Sequence, residues 1–180
     1  LHQGAHVARH GQELAALVAI PSVSADTQFK PDIQRGAEWL VNKLKSMGIE
    51  NIQLLDNGGH PLVFGEWKGA GPEAKTMLVY GHYDVQPADP MELWDTPAFE
   101  AVEKGDLLFG RGTSDMKGQV IGSLAAIESA LHAGSMHVKL KFMSEGEEET
   151  VAPSMDKFIK KHADLFAADF SSADVVTMYL

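Results

Sequence analysis

The chain has 180 residues, 44% hydrophobic and 22% charged, a balance that suits an ordinary globular protein of one domain with a sizeable core. A net charge of −10 with no Lys/Arg cluster to offset it excludes a nucleic-acid partner. No apolar run approaches the roughly 20 residues that span a bilayer, and no signal-peptide segment opens the chain, so a cytoplasmic protein without a membrane partner is expected. There is no cysteine, so any metal must be held by histidine and carboxylates.

Residues 4–20 read as a helix with Leu14, Leu17 and Val18 on its inner face and Pro21 as its stop. His2, His6 and His10 stand four apart on one side of it; the spacing suits a metal, but an exposed terminus is the plainer reading. After a polar loop, a second helix over residues 32–47 carries Ile33, Ala37, Leu40, Leu44 and Met47 in one stripe, with Gly48 behind it. Short strands are expected over residues 52–55 and 62–67, joined by a glycine-rich turn.

The stretch MLVYGHYDVQP (77–87) is the one around which the rest of the chain is organised. Met77, Leu78, Val79 and Tyr80 run apolar without alternation, as in a strand buried on both faces, and Pro87 cannot donate to a ladder. Residues two apart in an extended chain point to the same side. His82 and Asp84 therefore emerge together at the strand's C-terminal end, where open α/β sheets hold ligands.

Residues 88–105 form a long irregular segment with Trp94, Pro97 and Phe99, of a length that is usually functional. A strand over 107–109 delivers GRGTSDMKG, and a third helix over 116–133 carries Val120, Leu124, Ile127 and Leu131 before Gly134. Val138, Leu140 and Phe142 alternate with Lys139 and Lys141, as in a strand with one apolar face. Met155, Phe158, Ile159 and His162 predict a fourth short helix, and residues 175–180 the start of another strand. Strands alternating with helices predict a three-layer α/β/α sandwich around a largely parallel, mixed sheet, truncated within the domain.

Glu145, Glu147, Glu148 and Glu149 crowd four carboxylates at the end of a strand. Side by side they repel, so they require water or a cation. A solvated acidic turn is the plain alternative. His82, Asp84 and Asp115 also sit at strand ends, and in a parallel sheet such ends share one rim. Asp115 can be a simple helix-start acid, favoured by the dipole, or a carboxylate bridging two metal ions about 3.5–4 Å apart. Its loop lacks the third glycine of G-x-G-x-x-G and the spacing of a P-loop, which sets a nucleotide cradle aside. Imidazole with several carboxylates is the ligand set of hydrolytic zinc, with a free glutamate taking the proton of the attacking water. No G-x-S-x-G nucleophile competes.

Taken together, GHYDVQP, the pair Trp94 and Phe99, GDLLFGRGTSDMKGQ (105–119) and EGEEE (145–149) closely resemble the carnosinase-like zinc dipeptidases. Their superfamily also holds acetylornithine deacetylase, succinyl-diaminopimelate desuccinylase and glutamate carboxypeptidase. Tyr83 and Gln86 resemble the dipeptidase branch. The resemblance implies a hydrolase acting on a small peptide, with N-acyl amino acid deacylation as the alternative and an incomplete, binding-only domain as the rival from another class. It implies two zinc ions, or manganese or cobalt in their place. His82 would bind one, Asp115 would bridge both and Glu149 would bind the other. Glu148 would be the general base, and Asp84 would hold the His82 ring.

The resemblance further implies a cis peptide between Asp115 and Met116. Asp174 is the late acid nearest to the position of a further ligand, and the resemblance implies that a downstream histidine and a lid domain belong to a longer protein. Thr150-Val151-Ala152 stand where the family usually has a small Gly-Ser pair. The chain would then be the N-terminal part of the catalytic domain of a longer, homodimeric enzyme. Glu145 and Glu147 inherit no role and are expected to be solvated or hydrogen-bonded to the loop.

Overall fold

A computed structural model describes residues 2–56, 58–151 and 154–161. Asp174, His162 and the strand expected over residues 175–180 lie outside them, as do the side chains of His2 and His6. In chain order the regular elements are α1 (His2–Val18), α2 (Lys30–Ser46), β1 (Glu50–Leu55), β2 (Leu62–Trp67), β3 (Thr76–His82), β4 (Val102–Lys104), β5 (Leu107–Phe109), α3 (Lys117–His132), β6 (Lys139–Glu145) and α4 (Met155–Lys161). Among the described residues no helix is long and apolar enough to cross a membrane.

The stripes legible in the helices are what seat them. Leu17 of α1, Ile33, Ala37, Leu40 and Leu44 of α2, and Val120, Leu124 and Ile127 of α3 are buried together against Val63, Leu140 and Phe142 of the sheet. Each of the buried leucine, isoleucine and valine side chains contributes about 1.5–3 kcal/mol. Pro31 lies in the first turn of α2, where its missing N–H costs nothing, and Gly48 ends the helix in a left-handed conformation at φ 76°. The three helices are also joined by charge. Arg9 forks onto both oxygens of Glu128, at 2.9 and 2.6 Å, and Lys43 donates to Glu13 at 2.8 Å and Glu128 at 3.3 Å. His10 faces Glu13 of its own helix, with Nδ1 3.2 Å from Oε2.

The sheet has four strands in the order β1-β2-β6-β3. β1 with β2 and β2 with β6 are antiparallel, whereas β3 and β6 are parallel, so the sheet is mixed. The parallel pair is the one that matters for the site: β3, α3 and β6 form a βαβ unit, which brings both strands out of the sheet at the same rim.

Two expectations need correction. The segment over residues 88–105 is not irregular throughout. It holds a 3-10 turn (Met91–Leu93) and strand β4, which pairs with β5 across a turn where Gly105 sits at φ 62°. Three residues are too few for a periodicity to show. β6 does not have one apolar face but is buried on both, because helices cover each side of the sheet where it runs. Leu140 and Phe142 meet the helices, while Met143 joins Leu62, Phe64 and Leu78 under Met155 and Phe158 of α4. Lys141, read as solvent-facing, is buried opposite Glu66 in the register.

Candidate metal centre

The register of the parallel pair assembles the centre. His82 lies opposite Glu145, and the ladder runs one step further as the Tyr83 N–H donates to the Glu145 carbonyl at 2.9 Å. The segments after His82 and after Glu145 therefore leave the sheet side by side. A third segment joins from the loop between α1 and α2. Val23 bridges to Val85, the Val85 N–H donates to the Ser22 carbonyl at 2.9 Å, and Ser22 Oγ donates to the Tyr83 carbonyl at 2.6 Å.

His82 is buried, and its two ring nitrogens face different surroundings. Nδ1 lies 3.1 Å from the Asp84 carbonyl oxygen and 3.2 Å from Asp84 Oδ1. Both are acceptors, so Nδ1 carries a proton and Nε2 is the atom turned to a ligand. Nε2 faces Asp115 Oδ1 at 3.1 Å and Glu148 Oε2 at 3.8 Å. Burial opposes the ring's charge, but hydrogen bonding and the charges of Asp84 and Glu148 outweigh it and lift the imidazole to about 9.

Asp84 is fully buried and serves two segments at once: beside its contact with His82, its Oδ2 accepts the N–H of Glu149 at 3.1 Å. Glu149 is the residue after Glu148 in a short 3-10 turn (Glu148–Thr150). Its carboxylate accepts from Gln86 Nε2 at 2.7 Å. Burial and the nearby Asp115 charge raise the pKa of the Glu149 carboxyl, against the lowering effect of Gln86.

Asp115 arrives from the loop that opens α3. Gly112 in that loop has φ 86°, and a Cβ there would stand 2.7 Å from Val85 Cγ1, so glycine lets the loop lie close against the segment after β3. The Asp115-Met116 peptide bond is cis, as the resemblance implied. Two residues on, Lys117 is fully buried, and its ammonium donates to the carbonyls of Leu17 at 3.0 Å and Ile20 at 2.7 Å, capping the end of α1. Burial pushes this amine down to about 7.

His82, Asp115 and Glu149, from three separate segments, place one ligand atom each within 4.8 Å of one another. One imidazole nitrogen and two carboxylates, with Glu148 at their edge, are donors suited to a divalent cation, whose charge would relieve the repulsion among the acids. The residues present fit such an ion.

Three features escaped the reading of the sequence. Glu145 is not solvated: it is 1% exposed, Tyr80 donates its hydroxyl to Oε1, and burial pushes the carboxyl up to about 7. Glu147 is buried too, and its oxygens accept from the His60 N–H at 3.0 Å and from Ser154 Oγ. Gln86 touches Glu149 directly, and alternation alone points to it, since residues 82, 84 and 86 share one side of an extended chain.

Comparison with known proteins gives the same direction. A family model described as "Peptidase family M20/M25/M40" matches residues 78–176. The chain is 36% identical over 182 residues to the Cys-Gly metallodipeptidase DUG1 of Candida albicans, covering 93% of this chain and 37% of that protein. It is 34% identical over 176 residues to the human Beta-Ala-His dipeptidase, covering 96% of this chain and 32% of the relative. Among solved structures, human carnosine dipeptidase 1 superposes with a TM-score of 0.86 at 29% identity, over 96% of this chain and 38% of the other. The chain thus spans about a third of the length of the relatives it matches.

Proposed function

The chain belongs to peptidase family M20/M25/M40, and on that premise we propose that it is the N-terminal part of the catalytic domain of a metal-dependent dipeptidase. The observation that supports this most is the convergence of His82, Asp115 and Glu149 within 4.8 Å, with Glu148 Oε2 3.8 Å from His82 Nε2. His82 would hold one zinc ion, Asp115 would bridge it to a second, and Glu149 would hold that second ion. Bound there, such ions would polarise the scissile carbonyl and acidify the attacking water.

The protein's own residues would do the rest. Glu148, half-exposed and unencumbered by the contacts that fix Glu149, takes a proton from the attacking water and returns it to the leaving amine. Asp84 keeps the Nδ1 proton in place, so that Nε2 offers its lone pair. Gln86 steadies one oxygen of Glu149. The substrate class is a small dipeptide, in line with the names of the relatives. Three side chains leave two ions short of ligands, and the reading takes the remainder from elsewhere in a longer, homodimeric protein.

The test is an assay of the full-length protein against dipeptides and N-acetyl amino acids, before and after chelation. Dipeptide hydrolysis that is lost with chelator and restored by a divalent metal is expected. Turnover that survives complete metal removal, or that is confined to N-acetyl amino acids, overturns the reading.

A further inference from the structure

Glu147 precedes the base directly, and its carboxylate is held by the turn between β1 and β2 and by the start of α4. Its carboxylate is buried, and burying a charge is costly unless its oxygens are satisfied. Oε1 accepts the backbone N–H of His60 at 3.0 Å, from the turn between β1 and β2. Oε2 accepts the hydroxyl of Ser154, at the start of α4. The turn that receives it is itself fastened: His60 Nε2 lies 3.1 Å from the Ser24 carbonyl, and the Pro61 carbonyl accepts from Tyr83 Oη at 2.6 Å.

The local sequence makes room for this contact. A Cβ on Gly59 would stand 1.7 Å from Glu147 Oε1. Gly59 does not have the positive φ that would itself demand glycine, so what the position requires is space for the carboxylate. On the other side of the turn, Asp84 accepts the N–H of Glu149 at 3.1 Å. Glu148 therefore stands between two neighbours tied to different parts of the sheet rim. The backbone bonds within the turn, Thr150 N–H to the Glu147 carbonyl at 3.0 Å and Val151 N–H to the Glu148 carbonyl at 2.9 Å, set its shape but not its place on the rim.

We propose that Glu147 is a positioning residue, its side chain clamping the Glu148–Thr150 turn to the β1–β2 turn and to α4 so that the base and its neighbouring ligand keep their aim at the metal centre. This rests on the hydrolase reading above. Loss of such a supporting contact costs on the order of 10–100-fold in activity or metal affinity.

The experiment uses the full-length protein and measures kcat, KM, zinc affinity by chelator competition, and the thermal midpoint. Glu147→Ala is expected to lower kcat by about 10-fold or more with KM changed less than about 2-fold, and Glu147→Gln, which keeps an acceptor for His60, to recover most of it. Gly59→Ala should mimic the loss by displacing the carboxylate, and should add little in a Glu147→Ala background, as coupled partners do. Leu131→Ala, in α3 and remote from the clamp, supplies the reference for plain destabilisation. If Glu147→Ala does not fold, Ser154→Ala removes one donor only and should still lower kcat beyond what Leu131→Ala does.

A fully active Glu147→Ala or Ser154→Ala enzyme overturns the clamp, as do independent, multiplicative effects of Gly59→Ala and Glu147→Ala. A wild type without chelator-sensitive peptidase activity overturns the hydrolase reading and the clamp together; an active wild type with unaffected variants overturns the clamp alone.

Discussion

Asp84 Oδ2 accepts the backbone N–H of Glu149 at 3.1 Å, while Oδ1 of the same carboxylate lies 3.2 Å from His82 Nδ1. One buried residue thus fixes the tautomer of a candidate ligand on β3, through its carbonyl oxygen 3.1 Å from Nδ1 with the carboxylate charge beside it, and through Oδ2 the backbone of another beyond β6. Family resemblance assigns Asp84 only the first task; the second comes from the parallel register. Asp84→Asn keeps the shape but presents an amide N–H₂ to one of its two donors. We expect a drop of about 10–100-fold in metal affinity, read by chelator competition. Wild-type affinity in this variant would show that neither contact orients a ligand.

The roles of Glu148 and His82 separate in their consequences. Glu148→Gln should lower kcat by about 100- to 10,000-fold, the range for losing a general base, with metal content unchanged. His82→Ala should lose metal. Measuring metal by mass spectrometry alongside turnover distinguishes the two, and a Glu148→Gln enzyme that keeps its turnover removes Glu148 from the mechanism.

Acid should loosen the helical layer through Glu128. The hydrogen bond from Arg9, with Lys43 alongside, holds its carboxyl down to about 2, from an ordinary value of 4.5. The folded-state pKa is depressed, so the contribution is fully present above the unfolded value and is lost as the pH falls from 4.5 toward about 2. Glu128→Gln is expected to cost on the order of 2–3 kcal/mol at pH 7 and to flatten the acid limb of a plot of thermal midpoint against pH. An acid limb as steep as that of the wild type would locate the pH dependence elsewhere.

Val151 offers a stabilising change. It ends the Glu148–Thr150 turn in the left-handed region at φ 68° and is 92% exposed. A β-branched residue there carries a penalty of about 1–2 kcal/mol with no packing to offset it. Val151→Gly should raise stability by about 1 kcal/mol, net of the entropy glycine loses on folding, and Val151→Asn by less. Differential scanning calorimetry gives the sign; a lower midpoint for both variants contradicts the account of strain.

Much of the centre is legible in short stretches of sequence. The apolar run of β3 marks a buried strand, and alternation puts His82 and Asp84 on one side of it. The acids crowding residues 145–149 cannot all sit together without a compensating charge. Asp115 stands out because a loop with two glycines delivers it to the start of a helix. These are local properties, carried by spacing and composition within a few residues.

What local spacing could not decide is which strands are neighbours and in what register. That pairing places His82 opposite Glu145, buries Lys141 and Glu145 where a solvent face was expected, and threads the Glu147 carboxylate against Gly59 and His60. A glutamate in a run of glutamates has the same sequence signature whether it faces water or a backbone amide 87 positions away. Only the folded chain supplies the distant donor that makes burying its charge tolerable.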